Sequence, residues 1–124
     1  DAYIIKKETG RLNAIIIATG TEVNLALNVA YSLEEQGINL RVVSMPSVGL
    51  FLKSDILYQK EILPDGYKKI VLEYSNCLDF YRFTTSKYII NINTFGCSGQ
   101  CDHVLKKYNL DYESVKNHII EILK

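Results

Sequence analysis

The residues with the clearest chemical potential in this chain lie in two short stretches, Ala18–Thr19–Gly20–Thr21–Glu22 and Cys97-x3-Cys101-x-His103. The first joins an apolar, β-branched run to a helical pattern. In an open α/β sheet such a turn offers free backbone N–H groups and the positive end of a helix dipole, which attract anions. It matches neither G-x-G-x-x-G nor G-x-x-x-x-G-K-[ST], and Glu22 would set a negative charge against a phosphate. A tight turn at Gly20 with an N-cap at Thr21 accounts for the same residue types and is the reading the spacing favours. The second stretch supplies two thiols and an imidazole. Zinc takes about four ligands, commonly as two close pairs. Only Cys77 remains as a further thiol, and His118 falls on a core-facing helical pattern, so the ligand count argues against a metal. A regulatory Cys97–Cys101 disulfide would need a lowered thiol pKa, which nothing in the sequence indicates. Ser98 lies in Gly96–Cys97–Ser98–Gly99, not in a G-x-S-x-G elbow. Asp55, Asp65, Asp79 and Asp102 fall in loops or at helix starts, where Asp caps or is solvated. The nine tyrosines suit core and interface packing. From residue types alone, no active site is visible.

The elements that would position these residues alternate between strand and helix. Strands are predicted at Ala2–Lys6, Ala14–Ala18, Leu40–Ser44, Lys69–Glu73 and Tyr88–Asn93. The continuously apolar Ala14–Ala18 has the character of a central strand covered on both faces. Helices are predicted at Glu22–Gln36, where Val23, Ala26, Leu27, Ala30 and Leu33 recur at helical spacing, and at Ser54–Leu63 before Pro64. Gly37 supplies a left-handed stop to the first. The tail reads as two helices, Cys101–Tyr108 and Tyr112–Leu123, separated by Asn109–Leu110–Asp111. Tyr112, Val115, Ile119, Ile122 and Leu123 form the buried face of the second. Alternating elements predict an α/β fold, a three-layer α/β/α sandwich on a five-stranded, mostly parallel mixed sheet. Ala14–Ala18, the following helix and Leu40–Ser44 form one crossover unit. Seven residues link the first strand to the second, too few for a crossover helix. The first strand is therefore expected antiparallel, at or near an edge.

Length and composition bound the function. At 124 residues, 48% of them apolar, the chain suits one globular domain. Fourteen basic and 14 acidic residues cancel to a net charge of zero, and neither half of the chain is a basic patch. Nucleic acid is therefore not an expected partner. The longest apolar run is far short of a membrane span, and Lys6, Lys7 and Glu8 interrupt any signal-peptide pattern. Three cysteines, an odd number, point to free thiols in a reducing compartment, so the expected location is cytoplasmic. The chain opens on Asp1, without an initiator methionine, and is expected to be part of a longer polypeptide.

Several stretches, in order, resemble the C-terminal domain of transketolase. Ala2–Tyr3–Ile4–Ile5 resembles the G-Y-V-L segment where that domain begins. Ile17–Ala18–Thr19–Gly20–Thr21–Glu22–Val23 is similar to its I-A-T-G-S-E-V turn. Arg41–Val42–Val43–Ser44–Met45–Pro46 matches R-V-V-S-M-P, with Phe51 following in place. Tyr58 with Ile62–Leu63–Pro64 resembles Y-x3-V-L-P, Val71–Leu72–Glu73 resembles the V-x-E strand end, and Thr94–Phe95–Gly96–Cys97–Ser98–Gly99 resembles T-F-G-x-S-[AG]. The tail through Val104, Tyr108, Leu110 and Val115 follows the family pattern loosely. Gln100, Cys101 and Asn109 depart from the family's usual Pro, Ala and Gly. Two related thiamine diphosphate enzymes, 1-deoxyxylulose-5-phosphate synthase and the pyruvate dehydrogenase beta chain, carry P-[LM]-D after the third strand. This chain reads Met45–Pro46–Ser47–Val48 there, which fits transketolase better.

The resemblance implies a parent enzyme that moves a two-carbon ketol unit between sugar phosphates in the pentose phosphate pathway, with thiamine diphosphate and a divalent cation (Mg or Ca). It also implies that the cofactor groups lie in preceding domains of the same polypeptide and across a homodimer interface. The family's G-D-G…N cofactor element is missing here; the only Asp–Gly pair is Asp65–Gly66. Residues 1–124 are accordingly expected to be a single C-terminal domain, structural and dimer-supporting. No catalytic, cofactor-binding or metal residue is expected, and the isolated chain is expected to be inactive. Thr19, Gly20 and Thr21, with Phe95, Gly96, Ser98 and Gly99, are expected at inter-domain contacts or a minor anion site. The alternatives are a stand-alone anion- or nucleotide-binding regulatory module built on the Gly20 turn, and the same domain of one of the two related enzymes. A domain excised from a larger enzyme is also expected to expose apolar side chains that its neighbours would cover.

Overall fold

The computed structural model describes residues 2–73, 78–92 and 104–124. Among them are five strands, β1 (Tyr3–Lys6), β2 (Ala14–Ala18), β3 (Leu40–Ser44), β4 (Lys68–Glu73) and β5 (Ile89–Asn91), and four α-helices. The helices are α1 (Glu22–Glu34), α2 (Val48–Leu52), α3 (Ile56–Ile62) and α4 (Val104–Ile122), with 3-10 turns at Leu78–Arg82 and Ser86–Tyr88.

The sheet order is β1-β3-β2-β4-β5. β2 pairs in parallel with both β3 and β4, and β4 with β5, while β1 runs antiparallel to β3. The expected mixed sheet with an antiparallel first strand at its edge is what forms. A register shift between Ile4 and Lys6 bulges β1. Lys6 turns its ammonium onto Glu34 of α1 at 2.6 Å, and an irregular, charged edge of this kind resists pairing with another chain.

β2 is buried at every position, because helices cover both faces. Ala14, Ile16 and Ala18 face a layer made by α1 and α4, where they meet Ala26, Val29, Ala30, Leu33, Val115 and Ile119. Ile15 and Ile17 face the other layer with Val48, Phe51, Ile62 and Phe80. This division of successive residues between the two layers follows from the period of two along a strand. These are the three layers the alternating elements predicted.

Local signals explain where the helices stop and start. Gly37 lies at φ +83°, its N–H donates to Glu34 O at 3.0 Å, and Ile38 N–H donates to Leu33 O at 3.0 Å. This is a Schellman ending, and it satisfies carbonyls the helix leaves free. α2 is absent from the sequence reading, although its signal was present. Ser47 directly follows Pro46 and its hydroxyl accepts from Leu50 N at 3.2 Å. Asp55 likewise caps α3, accepting from Leu57 N at 3.0 Å, as expected of an Asp at a helix start.

Two expectations are corrected. Thr21 does not cap α1 through its side chain: its backbone is helical (φ −68°, ψ −19°) and no side-chain cap bond forms. The tail is one continuous helix from Val104 to Ile122, not two. Asn109–Leu110–Asp111 contains neither Gly nor Pro, and Asn and Asp each cost only a few tenths of a kcal/mol within a helix, up to about 0.7. The Lys107–Asp111 pair at 3.0 Å, one helical turn apart, offsets part of that cost, and burial of Val115 and Ile119 supplies the rest. The earlier start expected at Cys101 lies outside the described residues.

Candidate functional site

Thr19–Gly20–Thr21 leaves β2 at the carboxyl end of the sheet and feeds α1. β2 hands its chain to β3 on one side, and β4, on its other side, hands its chain to β5. The crevice between such diverging connections is where open α/β sheets place ligands. Gly20 sits at φ +56°, a left-handed conformation that a side chain disfavours. That geometry folds the turn on itself. Glu22 N–H donates to Thr19 O at 3.1 Å and Val23 N–H donates to Gly20 O at 3.3 Å. Two amides that an anion would use at the helix start are thereby occupied.

The electrostatics point the same way. Glu22 is buried, 6% exposed, and the Thr21 hydroxyl donates to its Oε2 at 2.8 Å. A buried carboxylate in the first helical turn is favourable to the helix dipole and repels a bound phosphate.

Beside this turn is a cavity of about 160 Å3 lined by Thr21, Glu22 and Leu25 of the α1 start, Ile92 beyond β5, and Lys107, Tyr108 and Asp111 of α4. Lys107 Nζ donates to Asp111 Oδ2 at 3.0 Å. Asp111 is 7% exposed, and its other oxygen, Oδ1, is buried with no hydrogen-bond partner. Asn28 donates to the Tyr108 hydroxyl, which ties α1 to α4 along the cavity wall. Neither Lys107 nor Asp111 was singled out from the sequence. Their spacing of four is a helix-surface signal, hidden once the tail was divided at Asn109.

The other expected site residues fall apart from this cavity or outside the description. Phe95, Gly96, Ser98 and Gly99 lie outside the described residues, as do Cys77, Cys97, Cys101 and His103. Asp65 is on an exposed turn, paired with Lys60, which holds its carboxyl below the usual aspartate range. Among the described residues no three His, Cys, Asp or Glu side chains stand close enough to hold a metal ion. No described helix is long and apolar enough to cross a membrane.

Comparison with known proteins gives a consistent result. Residues 2–111 match the family described as the transketolase-like TK C-terminal domain. The chain is 36% identical over 116 residues to a probable transketolase of Streptococcus pneumoniae, covering 92% of this chain and 18% of that protein. It is 37% identical over 123 residues to transketolase 2 of Aliivibrio fischeri, covering 98% of this chain and 19% of that one. The crystal structure of the Pichia stipitis transketolase in complex with sedoheptulose 7-phosphate superposes with a TM-score of 0.79 at 29% identity, over 98% of this chain and 18% of that one. The chain thus spans less than a fifth of the length of the relatives it matches.

Proposed function

The chain belongs to the transketolase-like TK C-terminal domain family, and from that premise we propose that it works as the C-terminal domain of a transketolase. In this reading the parent polypeptide transfers a two-carbon ketol unit between sugar phosphates in the cytoplasm. Thiamine diphosphate and a divalent cation, held in preceding domains, supply the carbanion chemistry. The role of residues 1–124 is structural: they complete the subunit and support a homodimer.

The observation that carries this reading is coverage. Nearly all of this chain aligns with less than a fifth of each relative, so the matched segment is one part of a larger catalytic unit. The described residues do not fit the cofactor's metal, since no three ligating side chains converge among them. Asp65, in the single Asp–Gly pair, is engaged by Lys60 on an exposed turn. No step through the cofactor is assigned to these residues. The Thr19–Gly20–Thr21 turn serves inter-domain contact better than anion binding, because its amides are occupied and Glu22 is buried behind it. Leu50, Ile56 and Leu57, on α2 and α3, are each more than half exposed, which suits a face that a neighbouring domain or subunit covers.

A chimera tests the proposal. The corresponding segment of the Streptococcus pneumoniae relative is replaced by this chain and compared with a deletion of that segment. The expected result is a chimera with ketol transfer and the parent's oligomeric state, and a deletion that loses the assembly. The isolated chain is expected to show no saturable binding of thiamine diphosphate with Mg2+ by calorimetry. An inactive but well-folded chimera, or such binding, refutes the assignment.

A further inference from the structure

We propose that Asp65–Gly66 is a site of spontaneous backbone modification, at which the chain forms a succinimide and then an isoaspartate, with Lys60 as the brake. The Gly66 amide nitrogen attacks Asp65 Cγ and a new N–C bond closes a five-membered imide. The amide proton and the carboxyl hydroxyl leave as one water. Water then reopens the ring. Attack at the former side-chain carbonyl restores aspartate, and attack at the main-chain carbonyl leaves the backbone running through Cβ as isoaspartate. Water is the sole co-reactant, and no oxidant or cofactor is required. The inference does not rest on the transketolase reading.

Sequence and turn geometry select this position. Of all the aspartates and asparagines in the chain, Asp65 alone precedes a glycine, so no side chain shields the attacking nitrogen. A Cβ at Gly66 would meet nothing within 4 Å, and the Asp65 side chain is 76% exposed. Ring closure requires the peptide plane between the two residues to turn. Gly66 sits at φ +90°, and glycine adopts negative φ about as readily. Neither the Gly66 N–H nor the Asp65 carbonyl is hydrogen-bonded among the described residues, so no hydrogen bond holds that plane. The other described aspartates lack this freedom. Asp55 gives its carboxylate to Leu57 N–H ahead of the β-branched Ile56. Asp79 lies in a 3-10 turn before the buried Phe80. Asp111 is inside α4, where the next amide is committed to the helix ladder.

Lys60 opposes the reaction. Its ammonium donates to Asp65 Oδ2. That hydrogen bond and the Lys60 charge, with a lesser contribution from Lys69, hold the carboxyl below the usual aspartate range. The neutral acid carries the hydroxyl that departs as water, so keeping the group ionised slows closure. An exposed pair of this kind adds little to stability, and Lys60 can be replaced without unfolding the chain.

The test incubates the 124-residue chain in mildly acidic and in neutral buffer, with the urea-unfolded chain alongside. Peptide mapping by mass spectrometry, with electron-transfer fragmentation to tell isoaspartate from aspartate, is the readout. The peptide spanning 65–66 is expected to yield a species one water lighter, which accumulates in the acidic buffer and gives way to isoaspartate in the neutral one. Asp55, Asp79 and Asp111 are expected to give no comparable product. Lys60→Met should speed product formation severalfold, and Lys60→Arg, which keeps the charge, should not. Asp65→Glu should abolish the product, since closure would then need a six-membered ring. A folded chain that forms no product at Asp65 while the unfolded chain does overturns the proposal, as does equal product at the other described aspartates. An unchanged rate in Lys60→Met overturns the role of Lys60.

Discussion

The Arg41 guanidinium meets the Glu8 carboxylate edge to edge, with Nε to Oε1 and Nη2 to Oε2 both at 2.9 Å. The remaining nitrogen, Nη1, donates to the carbonyls of Glu61 and Ile62 at 3.0 and 3.1 Å. Arg41 is on β3, Glu8 is in the loop after β1, and Glu61 and Ile62 end α3. One buried side chain thus closes a loop, pairs a carboxylate and satisfies carbonyls that the end of a helix leaves free. Lysine has the charge without the planar fork and cannot reproduce this.

Arg41→Met is therefore expected to destabilise the fold by about 3–5 kcal/mol, since it strands a largely buried carboxylate and two carbonyls. Glu8→Gln with Arg41→Met is expected to cost less than the Arg41→Met change alone, because no uncompensated charge remains. Chemical denaturation of Arg41→Met, Glu8→Gln and the double variant checks this. A double variant as unstable as the sum of the two single ones would show that the pair is not coupled.

The same pair sets an acid limit. The hydrogen bonds from Arg41 hold the Glu8 carboxyl below the usual glutamate range, more than desolvation raises it. A folded-state pKa depressed below the unfolded one gives stability that is fully present above the unfolded value and is lost as pH falls through the folded value. Stability is thus expected to be flat in this term near neutrality. It should begin to decline near the ordinary glutamate pKa of about 4.3 and keep declining below it. Thermal midpoints from pH 7 to pH 3 should show that decline, and Glu8→Gln should shallow it. An identical acid limb in wild type and Glu8→Gln would assign the loss to other carboxylates.

Two glycines are expected to respond with opposite signs. Gly37 ends α1 at φ +83°, and a Cβ there would meet nothing within 4 Å. Any cost of Gly37→Ala is therefore backbone strain alone, about 1–2 kcal/mol. Gly49 lies inside α2 without a positive φ, and its Cβ would meet only Ser47 Oγ at 3.9 Å. Gly49→Ala is expected to stabilise by about 0.5–1 kcal/mol, since alanine loses less freedom on entering a helix. Equilibrium unfolding of the two variants should move the midpoint in opposite directions.

The sheet was legible because its strands carry their own burial pattern. Ala14–Ala18 reads as a doubly covered strand and is buried throughout. The seven-residue link before it called for an antiparallel first strand, and β1 runs antiparallel at the sheet edge, beside β3. The Gly37 stop was legible because a left-handed ending favours one residue type. What escaped depended on partners distant in sequence. Thr21 has a capping residue's chemistry, yet its hydroxyl goes to Glu22, a choice that follows from the burial of that carboxylate. Arg41 is a single charge in an otherwise apolar strand, and its partners, Glu8 and the end of α3, lie 33 and about 20 residues away, beyond the reach of local patterning. The cavity at Glu22 and Asp111 was invisible because it depends on α4 running unbroken across the face of the sheet beside α1.

The continuity of α4 can itself be tested at Asn109. This residue is exposed and lies within the single helix Val104–Ile122, where a break was expected. If the helix runs through it, asparagine at this exposed position costs about 0.5 kcal/mol relative to alanine. Asn109→Ala should then stabilise the chain by about that amount. Asn109→Pro, which removes a backbone donor and clashes with the preceding turn, should cost about 3 kcal/mol or more. In a chain with two helices joined at 109–111, the alanine would be neutral and the proline tolerated. Urea midpoints for the two variants, with amide exchange across 107–113, distinguish the arrangements. A tolerated proline would also separate Lys107 from Asp111 and dismantle the cavity wall that the continuous helix provides.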